Sequence, residues 1–192
     1  MTKRLALPTT TQDVVVGSPR FQEAQFKIVG TAPYVSSNFT AVGAPEKGVL
    51  DSPHEAADGW YGIPAVLFRK AMIVACRVAG FRMTKAKVAV FVEADGLAKL
   101  DGEPLVRFTK GKPHSVERFL KYGGGRVSMG AQERWDAGWE AVVRVRFDAD
   151  LFALVDVANL MLRAGMQVGL GAGRPDPTGG PGMGWGLFEI CK

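Results

Sequence analysis

WEAVVRVRFD, residues 139–148, is the stretch that decides how this chain folds. Trp139, Ala141, Val143, Val145 and Phe147 fall on one side of an extended backbone. Glu140, Val142, Arg144 and Arg146 fall on the other. A period of two, with bulky or β-branched residues on one side, is the pattern of a strand with one buried face. The alternation stops at Asp148. Asp148 or Asp150 can cap a helix whose apolar face is Leu151, Leu154, Val155, Ala158, Met161 and Leu162, and which Gly165 ends.

Upstream, EAQFKIVGT (Glu23 to Thr31) repeats the strand pattern, with Ala24, Phe26 and Ile28 on one side, until Pro33 stops it. Residues 1–21 read as an arm, with Val14 to Val16 able to add a short edge strand. Residues 32–60, rich in Gly, Ser, Asn, Asp and Pro, read as a long loop. Gly62 to Gly80 predicts a helix, with Pro64 in its first turn and Gly80 past its end. Lys85 to Asp95, KAKVAVFVEAD, predicts a second strand. Residues 96–138 form an insertion that includes a hairpin through Asp101-Gly102. Downstream, Val168 to Ile190 carries eight glycines and three prolines, yet finishes on Trp185, Leu187, Phe188 and Ile190, which predicts a last strand over 185–190.

The order strand, helix, strand, strand, helix, strand predicts an α+β fold, a ferredoxin-like βαββαβ (RRM-like) domain over 22–192 with two long insertions, at about 32–60 and 96–138. Two helices would cover one sheet face and leave the other open. Relatives of that architecture bind single strands on the open face through aromatics, but the aromatic RNA-recognition motif is absent and Arg144 and Arg146 stand there instead.

Composition narrows the function. The chain has 192 residues, 47% hydrophobic and 22% charged, enough for one core. No apolar run approaches ~20 residues and the N-terminus lacks the apolar run of a signal peptide, so an intracellular protein without a membrane partner is expected. Cys76 and Cys191 do not suggest a disulfide. Two histidines and two scattered cysteines give no metal spacing, and no cofactor is expected. The net charge of +5 favours an acidic partner. Between Leu105 and Arg126 six cations (Arg107, Lys110, Lys112, Arg118, Lys121, Arg126) face one acid, Glu117. Arg69, Lys70 and Arg77 form a basic stripe on the first helix. Glycines let a backbone approach a phosphate closely, so Gly171 and Gly173, with Arg174 as a bidentate donor, are further candidates. The alternative for each glycine is a tight crossover from helix to strand.

A split βαβ domain whose second helix runs into Gly169, Gly171, Gly173, Arg174 and then Gly182, Gly184, Gly186 and Phe188 resembles the repeat-associated mysterious protein (RAMP) superfamily. KIVGTAPY (Lys27 to Tyr34) and GIPAVLFRKAM (Gly62 to Met72) agree with it. The layout resembles the backbone subunit of CRISPR effector complexes. That resemblance implies a thumb at 96–138, a filament of copies, single-stranded RNA along a basic groove, and other effector subunits as partners. A single-stranded DNA-binding or annealing protein and a viral structural or assembly protein are the alternatives. In the structural reading Trp60, Tyr61, Trp135 and Trp185 are interface anchors, Trp135 being the least core-like of them. Guide-processing relatives cleave RNA with a histidine, so His54 and His114 are the candidates for an endoribonuclease, the minority reading. Asp51, Asp58 and Asp95 would serve a metal-dependent cut. No catalytic residue is assigned.

Overall fold

The computed structural model describes residues 17–36, 40–41, 54–121, 127–175 and 182–191. Most of the arm, the Gly123–Gly125 run, Arg126 and Asp51 lie outside the described residues.

Strand β1 (Phe21–Gly30) is followed by two short strands, β2 (Tyr34–Val35) and β3 (Thr40–Ala41), and by β4 (Gly62–Pro64). Helices α1 (Ala65–Val78) and α2 (Met83–Ala89) lead to β5 (Val90–Glu93), then β6 (Gly96–Leu97), β7 (Pro104–Lys110), β8 (His114–Lys121), β9 (Val127–Trp135) and β10 (Glu140–Asp148). Helix α3 (Leu154–Arg163) widens into a π turn (Ala164–Val168), and β11 (Phe188–Ile190) closes the chain.

The fold is mixed α+β with two antiparallel sheets. In the larger, β10 lies between β1 and β5, and β11 lies outside β1. The order β11-β1-β10-β5 is that of a split βαβ unit whose crossovers are α1 and α3. Residues 21–29 of β1 pair in unbroken register with 148–140 of β10. β10 pairs with β5 over 144–147 and with β7 at Glu140 and Ala141, where the register shifts at a bulge, and β7 carries β4 and β6. The smaller sheet is built on β9, which pairs with β2, β3 and β8.

The alternation of residues 139–148 is realised: Trp139, Ala141, Val143, Val145 and Phe147 are buried, and the residues between them are not. They pack with Phe26 and Ile28 of β1 against Phe68, Met72, Ala75 and Cys76 of α1 and Val157, Leu160 and Met161 of α3. Burying a side chain the size of Phe68 stabilises the fold by about 1.5–3 kcal/mol.

Several expectations need correction. Residues 62–64 are a strand paired with β7, and α1 begins at Ala65; Pro64 is its cap, where a missing N–H costs nothing. Lys85 to Ala89 is helix, not strand. Ala86 and Ala89 are buried three residues apart, and Val88 is 64% exposed. Neither Asp148 nor Asp150 caps α3: Asp156 accepts from the Ala153 N–H, while Asp150 pairs with Arg20 at 2.6 Å. The buried face of α3 is Val157, Leu160 and Met161, so Leu151, Leu154, Val155 and Leu162 are exposed. The last strand is also shorter than expected, starting at Phe188.

Trp135 is fully buried, against the expectation that it lay outside the core. Its indole stacks on Phe108, with ring centroids 4.8 Å apart and planes at 17°, and Tyr34, His54 and Tyr61 complete the cluster. This aromatic joint locks the two sheets together, each well-placed pair contributing about 0.5–1.5 kcal/mol beyond its buried area.

Candidate nucleic-acid interface

The glycine-rich segment answers first to packing. After the π turn, Gly169 takes φ +72° and the chain reverses. Gly171 sits at φ +69°, and a Cβ there would lie 2.3 Å from the Val35 carbonyl oxygen. At Gly186, φ +68°, a Cβ would lie 1.9 Å from the Leu170 carbonyl oxygen. Gly173 lies against the Trp185 ring. The crossing is sewn by N–H groups that donate to the chain itself: Leu170 to Gly186, Ala172 to Val35, Trp185 to Gly173 and Gly186 to Pro33. So Gly171 and Gly173 are taken up by a tight crossover of the chain, packed against Val35, Tyr34 and Trp185.

A groove lies beside this crossover. Between α1, α2 and the glycine segment lies a cavity of about 550 Å³ lined by the apolar Leu67, Val74 and Met83 and by Lys70, Lys87 and Arg174. Lys70 and Lys87 are exposed and meet no acid among the described residues. Arg174 donates from Nη1 to the Gly171 carbonyl at 3.1 Å, which fixes the guanidinium beside the turn. Sequence reading named Lys70 and Arg174, though not as neighbours. It missed Lys87, because residues 85–89 read as strand.

The other cations of the first helix separate. Arg69 turns inward, donating from Nε to the Val90 carbonyl at 3.0 Å and from Nη2 to the Lys87 carbonyl at 2.6 Å. It ties α1 to the carbonyls that end α2. Arg77 stands exposed in the last turn of α1, where it complements the helix dipole. The expected stripe is thus one groove lysine, one internal clamp and one helix-end charge.

The open sheet face is charge-matched. Arg144 donates to the Ala94 carbonyl at 2.7 Å and to Asp95 at 2.9 Å. Arg146 pairs with Glu93 at 3.1 Å and lies 4.8 Å and 5.3 Å from the centroids of Phe21 and Phe91. Lys27 and Lys110 both bind Glu140 at 3.2 Å, and these bonds hold its carboxyl below the usual range. Aromatics are therefore present on this face, supplied by β1 and β5 rather than β10.

Along 105–126 the cations also divide. Arg107 lies over Trp60, 5.6 Å from the ring centroid. Lys112 is exposed. Arg118 donates to Gln132 at 2.6 Å and lies 4.7 Å from the Trp185 centroid, linking the β8–β9 hairpin to the glycine segment. Burial lowers its pKa. The Lys121 side chain, like Arg126, lies outside the described residues.

His54 is buried and structural. Its Nδ1–H donates to the Gly62 carbonyl at 3.0 Å and its Nε2 accepts from the Ser36 hydroxyl at 2.8 Å. Burial pulls its pKa down to about 4, so the ring is neutral at pH 7 and ties residue 36 to residue 62. His114 is exposed, 3.9 Å from Asp136. Asp95 is occupied by the Arg107 N–H at 2.8 Å and by Arg144. No group of three or more metal-ligating side chains occurs among the described residues, and none of their helices is long and apolar enough to cross a membrane. The two cysteines are unbridged.

Neither a family model nor a curated protein matches this sequence. The fold does find a counterpart. The crystal structure of Cmr6 from Pyrococcus furiosus is similar over 90% of this chain and 98% of that one, with a TM-score of 0.50 at 11% identity. The α+β architecture of this chain is thus similar to that of Cmr6.

Proposed function

We propose that this chain is a single-stranded nucleic-acid-binding backbone protein, with RNA as the strand, which associates with copies of itself and with other subunits of a CRISPR-type effector complex. The observation that carries the reading is the groove beside the glycine segment, where the exposed Lys70 and Lys87, which meet no acid among the described residues, line an apolar cavity together with Arg174. Uncompensated cations in a concave site attract phosphates, and the resulting affinity falls as salt rises because bound counterions are released. In this reading the β8–β9 hairpin acts as the thumb of the 96–138 insertion, and the reading assigns no catalytic residue.

The likeness to Cmr6 supports the effector-subunit part of the proposal. The assembly part rests on apolar surface. Phe81, Leu162 and Met166 are 53%, 38% and 63% exposed and line a cavity of about 750 Å³ beside Phe152. Exposed apolar surface concentrated in this way marks contact sites. Replacing Leu162 and Met166 together by Glu should reduce oligomer mass in light scattering; an unchanged mass, or a monomeric parent, overturns this part.

The binding test is fluorescence anisotropy of labelled single-stranded RNA, single-stranded DNA and duplex DNA across a salt series. Salt-dependent binding to single strands with RNA favoured through its 2′-hydroxyl supports the proposal. Equal affinity for DNA strands would make it a single-stranded DNA binder, and no binding at low salt would sink both.

A further inference from the structure

On the open sheet face, away from the lysine groove, Asp58, Trp60, Asp95, Arg107 and Arg144 line a cavity of about 380 Å³ together with Thr109. The Trp60 indole is set by two glycines: a Cβ on Gly96 would come within 2.7 Å of the ring and one on Gly62 within 2.9 Å. Arg107 lies over that indole. A planar aromatic group with a guanidinium above it is a stacking surface for another planar group. The charges cancel, two arginines against two carboxylates, so nothing here selects for phosphate. Asp95 is already satisfied by Arg144 and by the Arg107 N–H. Asp58 is different: it is exposed, borders the cavity and has no hydrogen bond or ion pair among the described residues.

We propose that this cavity takes a guanine base of a bound single strand, stacked beside Trp60 and Arg107, with its N1–H and N2–H₂ donating to the two oxygens of Asp58. A carboxylate accepts two parallel donors. Among the common bases only guanine presents two adjacent donors on one edge, and a neutral, planar, polar ligand suits a cavity whose charges are balanced. The inference rests on the single-strand reading and adds to it a place where a base, not a phosphate, is read.

The test uses the whole protein and three 12-mers of uridine, one unmodified, one with a single central guanosine and one with a central inosine, which lacks the 2-amino group. Guanosine should bind about tenfold tighter than inosine or uridine, since losing one donor to a carboxylate leaves it unpaired. Asp58→Asn should erase that difference and leave the all-uridine affinity within about twofold. Equal affinity of the parent protein for all three strands, or a guanosine preference that survives Asp58→Asn, overturns the inference. If no 12-mer binds, the single-strand reading fails, and guanosine 5′-monophosphate, followed by tryptophan fluorescence, decides the cavity alone. Quenching lost in Asp58→Asn supports a guanine site, and no quenching overturns it. Trp60→Phe, which keeps a ring on Gly62 and Gly96, shows whether Trp60 is the tryptophan reporting.

Discussion

The lysine groove and the open sheet face both carry cations and differ in what surrounds them. Lys70 and Lys87 meet no acid among the described residues, whereas Arg144 and Arg146 are paired with Asp95 and Glu93. A cation whose charge is already matched adds little to the field a phosphate feels, and exposed pairs of this kind are worth only ~0–1 kcal/mol to the fold. Counting arginines therefore overstates the phosphate-binding surface. The groove is suited to backbone, and the cavity to something neutral.

The largest effect expected falls on the scaffold that both regions share. Gly186→Ala forces a side chain onto the Leu170 carbonyl at positive φ and should cost about 4 kcal/mol. A denaturation midpoint close to that of the parent would mean that the glycines are not needed for packing, and would return them to ligand contact.

Acid should separate the two regions next. His54 is neutral in the fold, with its pKa pulled from 6.5 to about 4. A folded-state pKa below the unfolded value means that its stabilisation is complete above about pH 6.5 and is lost as the pH falls toward 4, up to about 3 kcal/mol. His54 anchors the strand entry beside Trp60 through Gly62, so the cavity should loosen while the lysines stay charged. Urea midpoints at pH 7 and pH 4.5, compared between the parent and His54→Gln, check this: the parent should lose more stability than the variant, and equal losses would remove the assignment.

Charge reversal sharpens the comparison directly. Lys70→Glu with Lys87→Glu should weaken single-strand affinity about thirtyfold at low salt and flatten the salt dependence by roughly 1.4 in log–log slope, ~0.7 for each lost phosphate contact. The smallest effect is Arg146→Gln, expected to change affinity by less than about twofold, with no change in slope, because its charge is already matched by Glu93. A large loss from Arg146→Gln would break the distinction between the two regions. Anisotropy titrations on one labelled strand serve both variants.

How much of this was readable beforehand varied with the type of signal. β10 was legible because alternation is local: every second side chain from Trp139 to Phe147 is buried as the pattern says. Helix α2 was not, because KAKVAV alternates like a strand while its Ala and Lys residues favour helix, and burial at 86 and 89 depends on α1. Helix α3 is apolar on more than one side, so periodicity could not tell which side meets the sheet. Lys70 was legible as part of a basic helical stripe and Arg174 as a cation among glycines, but not that the two line one groove. Lys87 was lost with α2. The pairing of Arg144 and Arg146 depends on strand register with β5, which no single segment encodes. Asp58 and Trp60 were read apart, one as a candidate for a metal-dependent cut and the other as an interface anchor, because a stretch that read as loop could not show that they share a cavity.

Trp185 lies between Gly173 and the guanidinium of Arg118, and so couples the β8–β9 hairpin to the chain end that closes the main sheet. The hairpin is therefore not a cassette. Transplanting it into a related domain, or trimming it away, would strip the indole of its lid and disturb the closing strand, so modular engineering of this chain has to move residues 114–135 and 171–188 as one unit.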